Sequence, residues 1–315
     1  MENRGLLSIQ KNTKAMGGEE LRSYTTAPLS EYIGSHIYKM LGIPDHETEL
    51  GTKNNKLVVA CKDFRGDDER LLEMRSLKNT GSSYLNDELE NISSSSTGDA
   101  VDLDELLLHL YKNPFIKDIP GVIERFWDQV IIDIYINNSD RNNGNWGVLR
   151  SKRHPDVLAP VYDNGNSFHN KYSIEKVRNE MQNIEKIKTK LVGITSTTYE
   201  SSGHHISPKK ILSFDDSILK EEIKRVTPII NSKEKDINRF IDGIPEQYMD
   251  IPIVSPIEKE FYKLCLHTRL EEFIEPVYKQ LENVKTLNEK IAGYEDKMHE
   301  TGMEQRIKGR NDECR

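Results

Sequence analysis

The stretch Asn137-Asn138-Ser139-Asp140-Arg141-Asn142-Asn143-Gly144-Asn145-Trp146-Gly147 is unlike the sequence around it. It follows an apolar run of Ile123, Phe126, Trp127, Val130, Ile131 and Ile134, whose spacing predicts one long buried helix. Its polar groups are therefore expected at a helix end, on a rigid support. Trp146–Arg150 then predicts a strand, Ser151–Asp156 a turn and Val157–Tyr162 a second strand, followed by Asp163-Asn164-Gly165. An antiparallel hairpin sets the start of its first strand beside the end of its second. Asn145 and Asp163 are thus expected at one open end, with Asp140 in the loop that feeds it.

Two carboxylates and an amide oxygen in one place form a hard oxygen donor set, suited to Mg²⁺ and to the phosphates it carries. An EF-hand is excluded by position: counting from Asp140, the sixth and twelfth places hold Asn145 and Ser151, where glycine and glutamate are required. Asx and Gly residues by themselves build turns; the second Asp-x-Gly after a hairpin is what favours a site. Asp, then Asn five residues later, then a hairpin into Asp-x-Gly, is the order of the kinase catalytic and metal-binding loops. In that order Asp140 orients the attacking hydroxyl, and Asn145 and Asp163 hold Mg²⁺.

Working outward, Ser30 reads as the cap of a helix carrying Ile33, Ile37 and Leu41 on one face, stopped by Gly42 and Pro44. Glu47–Gly51 and Leu57–Cys61 flank Lys53-Asn54-Asn55-Lys56 as a hairpin. Ser93–Thr97 reads as a loop, and Leu103, Leu106, Leu107 and Leu110 as a helical stripe. Thr195–Pro208 reads as a polar break in mostly helical sequence, with His204-His205 exposed. Leu270, Ile274, Val277, Leu281, Val284 and Ile291 form a heptad-like stripe, for which packing against the domain is the plain reading and a homodimer seam the sharper one.

The 315 residues are 36% hydrophobic and 30% charged, enough for a sizeable core. Forty-four Lys and Arg against 52 Asp and Glu leave a charge of −8, which argues against a dedicated nucleic-acid binder. Cys61, Cys265 and Cys314 are widely spaced, so neither a disulfide framework nor a thiolate zinc site is expected. No segment reads as a signal peptide or membrane span, and the expected location is cytoplasmic, with signal-independent secretion left open.

Five segments together resemble the HipA-like kinases, and within them the CtkA-type Ser/Thr protein kinases of bacteria. They are SYTTAPLSEYIGSHI (Ser23–Ile37), HETELG (His46–Gly51), VVACKDF (Val58–Phe64), SDRNNGNWGVL (Ser139–Leu149) and APVYDNG (Ala159–Gly165). The resemblance spans residues 23–165, about half the chain. It implies an α+β, protein-kinase-like two-lobe fold: a small, shortened β-rich N-terminal lobe over 1–66 and a large helical lobe over 67–299, with a charged tail over 300–315. The N-lobe would hold an αC-like helix over 30–41 and a hinge over 58–64; the catalytic and metal loops would occupy 138–165.

By the same resemblance Glu31 pairs with the phosphate-binding lysine, and Ala60, Cys61, Lys62 and Asp63 meet adenine through their backbone. Asp140 matches the catalytic aspartate, and Asn145 and Asp163 the metal ligands. The lysine itself is placed at Lys11, with Lys14 as runner-up, because Lys62 falls at the hinge; no glycine-rich phosphate loop precedes either. The implied activity is ATP- and Mg²⁺-dependent phosphorylation of a protein Ser or Thr, autophosphorylation included. Two alternatives stand beside it: an impaired pseudokinase acting as a binding or regulatory module, and a metal-dependent phosphohydrolase on the same cluster.

Overall fold

The computed structural model describes residues 7–8, 23–90, 101–193 and 197–284. Lys11, Lys14, Ser93–Thr97, Ile291, Cys314 and the 300–315 tail lie outside the described residues. In the small lobe, helix α1 (Ser23–Met40) packs on an antiparallel sheet of β1 (Leu7–Ser8), β2 (Thr48–Lys53) and β3 (Lys56–Cys61), in the order β1-β3-β2. The β2–β3 turn runs through Asn54 and Asn55, both at positive φ (52° and 56°), which is the two-residue turn that suits the twist of a hairpin. Ile33, Ile37 and Leu41 are buried, and Gly42, at φ +82°, ends the helix.

The start of α1 differs from the reading above. The helix begins at Ser23, passes through Pro28, and leaves Ser30 inside it rather than at its cap. The Ser30 hydroxyl donates instead to the carbonyl of Ser167, 3.1 Å away in the large lobe. A tertiary contact has taken the polar group that reads locally as a cap.

The large lobe opens with β4 (Arg70–Glu73), α2 (Met74–Gly81) and the short α3 (Asn86–Leu89). After β5 (Val101–Asp102), α4 (Leu103–Lys112) is capped by Asp102, which accepts the Glu105 N–H at 2.9 Å. Helix α5 (Val122–Ile136) is the centre of the lobe: Phe126, Trp127, Val130, Ile131 and Ile134 are buried, and so are Asp128, Gln129 and Asp133. It ends where Asn137 turns left-handed at φ +56°, a conformation asparagine tolerates.

Strands β6 (Gly147–Arg150) and β7 (Val157–Leu158) form the expected hairpin, with Val148 opposite Leu158 and Leu149 opposite Val157. The second strand is shorter than Val157–Tyr162, because Val161 leaves it to bond the other lobe. Its N–H donates to the Pro44 carbonyl (2.8 Å), and its carbonyl accepts from His46 N–H (3.0 Å). Strand β4, unmarked in the sequence, pairs with the free edge of β6. The 195–208 break holds a small hairpin, β8 (Tyr199–Ser201) and β9 (His204–His205), and β8 pairs parallel to β5.

Helices α9 (Ser217–Gly243) and α10 (Pro256–Arg269) pack on α5; α6 (Ile174–Glu180) and α7 (Ile184–Gly193) pack on α10, and α8 (Pro208–Leu212) on the turn that follows it. Beyond α10, Leu270 and Ile274 are buried and Val277 and Leu281 lie against the core, while Val284 is exposed. Among the described residues no helix is long and apolar enough to cross a membrane.

One glycine is dictated by the β4–β6 pairing. A Cβ on Gly147 would stand 2.2 Å from the Leu72 carbonyl oxygen. Gly147→Ala is expected to lower unfolding free energy by about 1–3 kcal/mol, read in urea denaturation; an unchanged midpoint would show that the ladder gives way freely.

Candidate active site

The functional loops are assembled around Arg141, which is only 2% exposed. A guanidinium carries five N–H donors, and this one places all five. Nε and Nη2 donate to the two Asp133 carboxylate oxygens on α5 at 2.8 and 3.0 Å. Nη2 also donates to Asn164 Oδ1 at 2.6 Å. Nη1 donates to the Asn145 carbonyl at 3.0 Å and to the Tyr162 carbonyl. Burial alone would weaken the charge, but Asp133 outweighs it and holds the guanidinium ionised.

Because one nitrogen serves both Asn145 and Tyr162, the start of β6 and the chain just before Asp163 meet at one place, as the hairpin predicts. Asn145 Nδ2 donates to the Asp140 carbonyl at 2.7 Å, which directs the amide nitrogen into the loop and leaves Oδ1 as the group to offer a cation. Asp163 takes a left-handed φ of +59°. Its charge is among those that bear on Arg141, Cys61 and Tyr162. Asp140 Oδ1 accepts from Asn142 Nδ2 (3.1 Å) and Oδ2 from Asn166 Nδ2 (2.5 Å).

Glu31 is buried on α1, facing the same region; a Cβ on Gly165 would come within 3.4 Å of its Oε2. Its Oε1 accepts from His46 Nε2 at 2.7 Å and from the Ser35 hydroxyl at 3.4 Å. Burial pulls His46 down, but its hydrogen bond to Glu31 and the charges of Glu31 and Asp45 prevail, so its pKa is raised. Asn164 Nδ2 donates to Ser35 Oγ (3.1 Å) and Asp45 Oδ2 (3.2 Å), which ties this cluster to Arg141 through a single amide. Hydrogen bonds thus run from Glu31 through Ser35, Asn164 and Arg141 to Asn145 and the Asp140 carbonyl, and the charge of Asp163 bears on the same Arg141; Lys11 lies outside the described residues.

At the end of β3, Ala60 and Cys61 are paired with β1 on one side and β2 on the other, and the Lys62 N–H donates to the Glu47 carbonyl at 2.9 Å. The Lys62 ammonium pairs with Glu47 at the surface (3.0 Å). The Cys61 thiol is pushed up to about 12, first by burial and then by the charges of Glu31, Asp45 and Asp163. Asp63 Oδ1 accepts the Arg65 N–H at 3.0 Å, and the Phe64 ring stands 5.7 Å from the Tyr162 ring, beside Asp163.

The sequence reading did not single out Arg141, His46 or Asn166. The signal for Arg141 was Asp133, a carboxylate set within the apolar run Val130–Ile136, which demands a buried cation nearby. The chemistry of Asn145 and Asp163, one amide and one carboxylate oxygen, fits Mg²⁺, which keeps water and phosphate in the rest of its shell. Among the described residues, no three His, Cys, Asp or Glu side chains gather as a metal-binding group.

A small sheet lobe with one helix, set on a helical lobe that carries these loops at the junction, defines the protein-kinase class. No protein-family model matches the chain. Over 258 residues it is 31% identical to the serine/threonine-protein kinase CtkA of Helicobacter pylori (strain J99), covering 79% of this chain and 70% of that protein. Its structure is similar to the crystal structure of a Helicobacter pylori proinflammatory kinase CtkA, with TM-score 0.71 and 27% identity over 82% of this chain and 88% of that one. The fold alone is shared with a Shewanella oneidensis HipA, HipB and operator DNA complex (TM-score 0.50, 12% identity, 80% of this chain and 57% of that one). The chain belongs to the HipA-like, CtkA-type family of serine/threonine-protein kinases.

Asp45 makes the site's response to pH testable. Burial, helped by the Glu31 charge and opposed by His46, Ser35 and Asn164, pushes its carboxyl up to about 7. Unfolded, it would titrate near about 3.9. Between those values the native state binds the extra proton, so stability falls as pH rises through that interval and the loss is complete above it. Asp45→Asn keeps an oxygen for Asn164 but cannot ionise. Urea denaturation should find the variant more stable than the parent at pH 8 and level with it at pH 4; equal offsets at both would refute the assignment.

Proposed function

We propose that this chain transfers the γ-phosphate of ATP to a serine or threonine hydroxyl of a protein, itself included, with Mg²⁺ bound at Asn145 and Asp163. The observation that carries the reading is the Arg141 clamp, which gathers the Asp140 loop, Asn145 and the chain entering Asp163 on one buried support. Bound Mg²⁺ supplies neutralisation of phosphate charge. The rest falls to the chain. Asp140 accepts a hydrogen bond from the attacking hydroxyl, orients it and takes its proton.

Glu31 is assigned to the phosphate-binding lysine, placed at Lys11 with Lys14 second, and His46 holds the carboxylate in position for it. With the backbones of Ala60 and Cys61 committed to the ladder and the Lys62 N–H to Glu47, adenine recognition within the 60–63 hinge falls to the backbone around Asp63. Phe64 is suitably near to border the ring. In this reading the lobes divide near residue 66, and the acceptor segment enters a cleft of about 420 Å³ lined by Asn137, Ser139, Asp140, Asn166, Asn170 and Lys171. Phosphoryl transfer is mostly placement and charge neutralisation, so a few fixed groups suffice.

The test is Mg²⁺-dependent transfer of labelled γ-phosphate to the chain itself and to a general Ser/Thr substrate, with Asp140→Asn and Asp163→Asn beside the parent. Each substitution is expected to lower transfer by about 10³-fold or more, and chelation of the cation to abolish it. A folded parent that binds ATP without transfer would make the chain a binding module. Phosphate release without protein labelling would make it a hydrolase.

A further inference from the structure

The segment just after Asp-x-Gly reaches back to the catalytic loop. Asn166 Nδ2 donates to Asp140 Oδ2 at 2.5 Å, and Asn166 Oδ1 accepts from Asn170 Nδ2 at 3.0 Å. That same Nδ2 donates to the Gly165 carbonyl at 2.7 Å. The two asparagines form a directed chain that ends on the carboxylate. We propose that Asn166 is a positioning residue that fixes the Asp140 carboxylate for transfer, with Asn170 holding Asn166 in turn. The inference rests on the reading of Asp140 as the catalytic aspartate.

Three features carry it. The first is direction: Asn142 donates to Oδ1 from within the catalytic loop and Asn166 to Oδ2 from the segment after Asp-x-Gly. A carboxylate gripped at both oxygens cannot swing about its terminal bond, yet each oxygen keeps a second lone pair for an incoming hydroxyl. The second is the support. The Phe168 N–H donates to the Ile136 carbonyl at the end of α5 (3.0 Å), and the Ser167 carbonyl accepts the Ser30 hydroxyl from α1 (3.1 Å). Phe168 and His169 hold positive φ (56° and 53°) in succession, a conformation that non-glycine residues keep only where their surroundings enforce it.

The third is location. Asn166 and Asn170 line the cleft with Asp140, so the chain of amides faces where the acceptor would sit. An asparagine that merely built the turn would need only its contacts within 165–170. The bond to Asp140 is extra to that task.

The experiment measures kcat and KM for ATP on the full chain for Asn166→Ala, Asn166→Asp, Asn170→Ala and the double alanine variant, with Asp140→Asn alongside. Asn166→Asp is isosteric and still accepts from Asn170, but sets a carboxylate against Asp140. The expected result is a fall in kcat of about 10- to 100-fold for Asn166→Ala and a larger one for Asn166→Asp. KM for ATP and the urea midpoint should stay near the parent values. Asn170→Ala should fall less, and the double variant no further than Asn166→Ala, since groups acting in series are not additive. A kcat for Asn166→Asp within about twofold of the parent, while Asp140→Asn is inactive, would overturn this inference alone. Full activity in Asp140→Asn, or a folded parent without transfer, would overturn the proposed function and this inference with it.

Discussion

A guanidinium with no access to water has to be paid for in hydrogen bonds, and Arg141 shows how one such obligation organises a site. Removing a buried cation from water costs several kcal/mol unless every donor finds a partner. Here the partners are drawn from four pieces of chain: α5 through Asp133, the Asp140 loop through Asn145, the entry to Asp163 through Tyr162, and the Asp-x-Gly itself through Asn164. None of the four can drift without leaving a buried donor unmatched. Placement of the loops is thus an electrostatic necessity of the core, and Asp140, Asn145 and Asp163 are set on a buried support because of it.

Much of this was legible in the residues. Asp140, Asn145 and Asp163 could be brought together on paper because a hairpin has a period and a direction, and Gly, Pro and Asx residues mark its ends. The core of α5 was legible for the same reason: its apolar spacing admits only one face at first, then nearly all of them. Arg141 was not, because a buried arginine looks like any other charged residue in a polar loop until its partners are known. All but Asp133 lie in loops or at strand ends, two of them as backbone carbonyls that no side-chain pattern reports.

The errors share a cause. Ser30 has the chemistry of a helix cap, and only the distant Ser167 carbonyl decides that it is something else. Val161 continues an apolar alternation, but Pro44 and His46 claim its backbone for the other lobe. Strand β4 is four ordinary residues, Arg-Leu-Leu-Glu, made a strand by the free edge of β6. In each case the local preference was weak and a long-range hydrogen bond overrode it. Asn166 belongs with these: beside Asp-x-Gly it reads as turn chemistry, and the carboxylate it meets is far away in sequence.

The seating of α1 bears on how such a molecule moves. Ser30 bonds the 167 carbonyl, Tyr38 bonds Asp133 (2.8 Å) and the Gln129 carbonyl (3.2 Å), and Ser35 takes the Asn164 amide. All are buried. A helix that swung outward as a lever would strand these groups together, at about 1–3 kcal/mol for each one left without a partner. Even three such losses at the low end make the displaced state rarer than about one molecule in a hundred. Such a chain spends its time with α1 docked against the helix that carries Asp133.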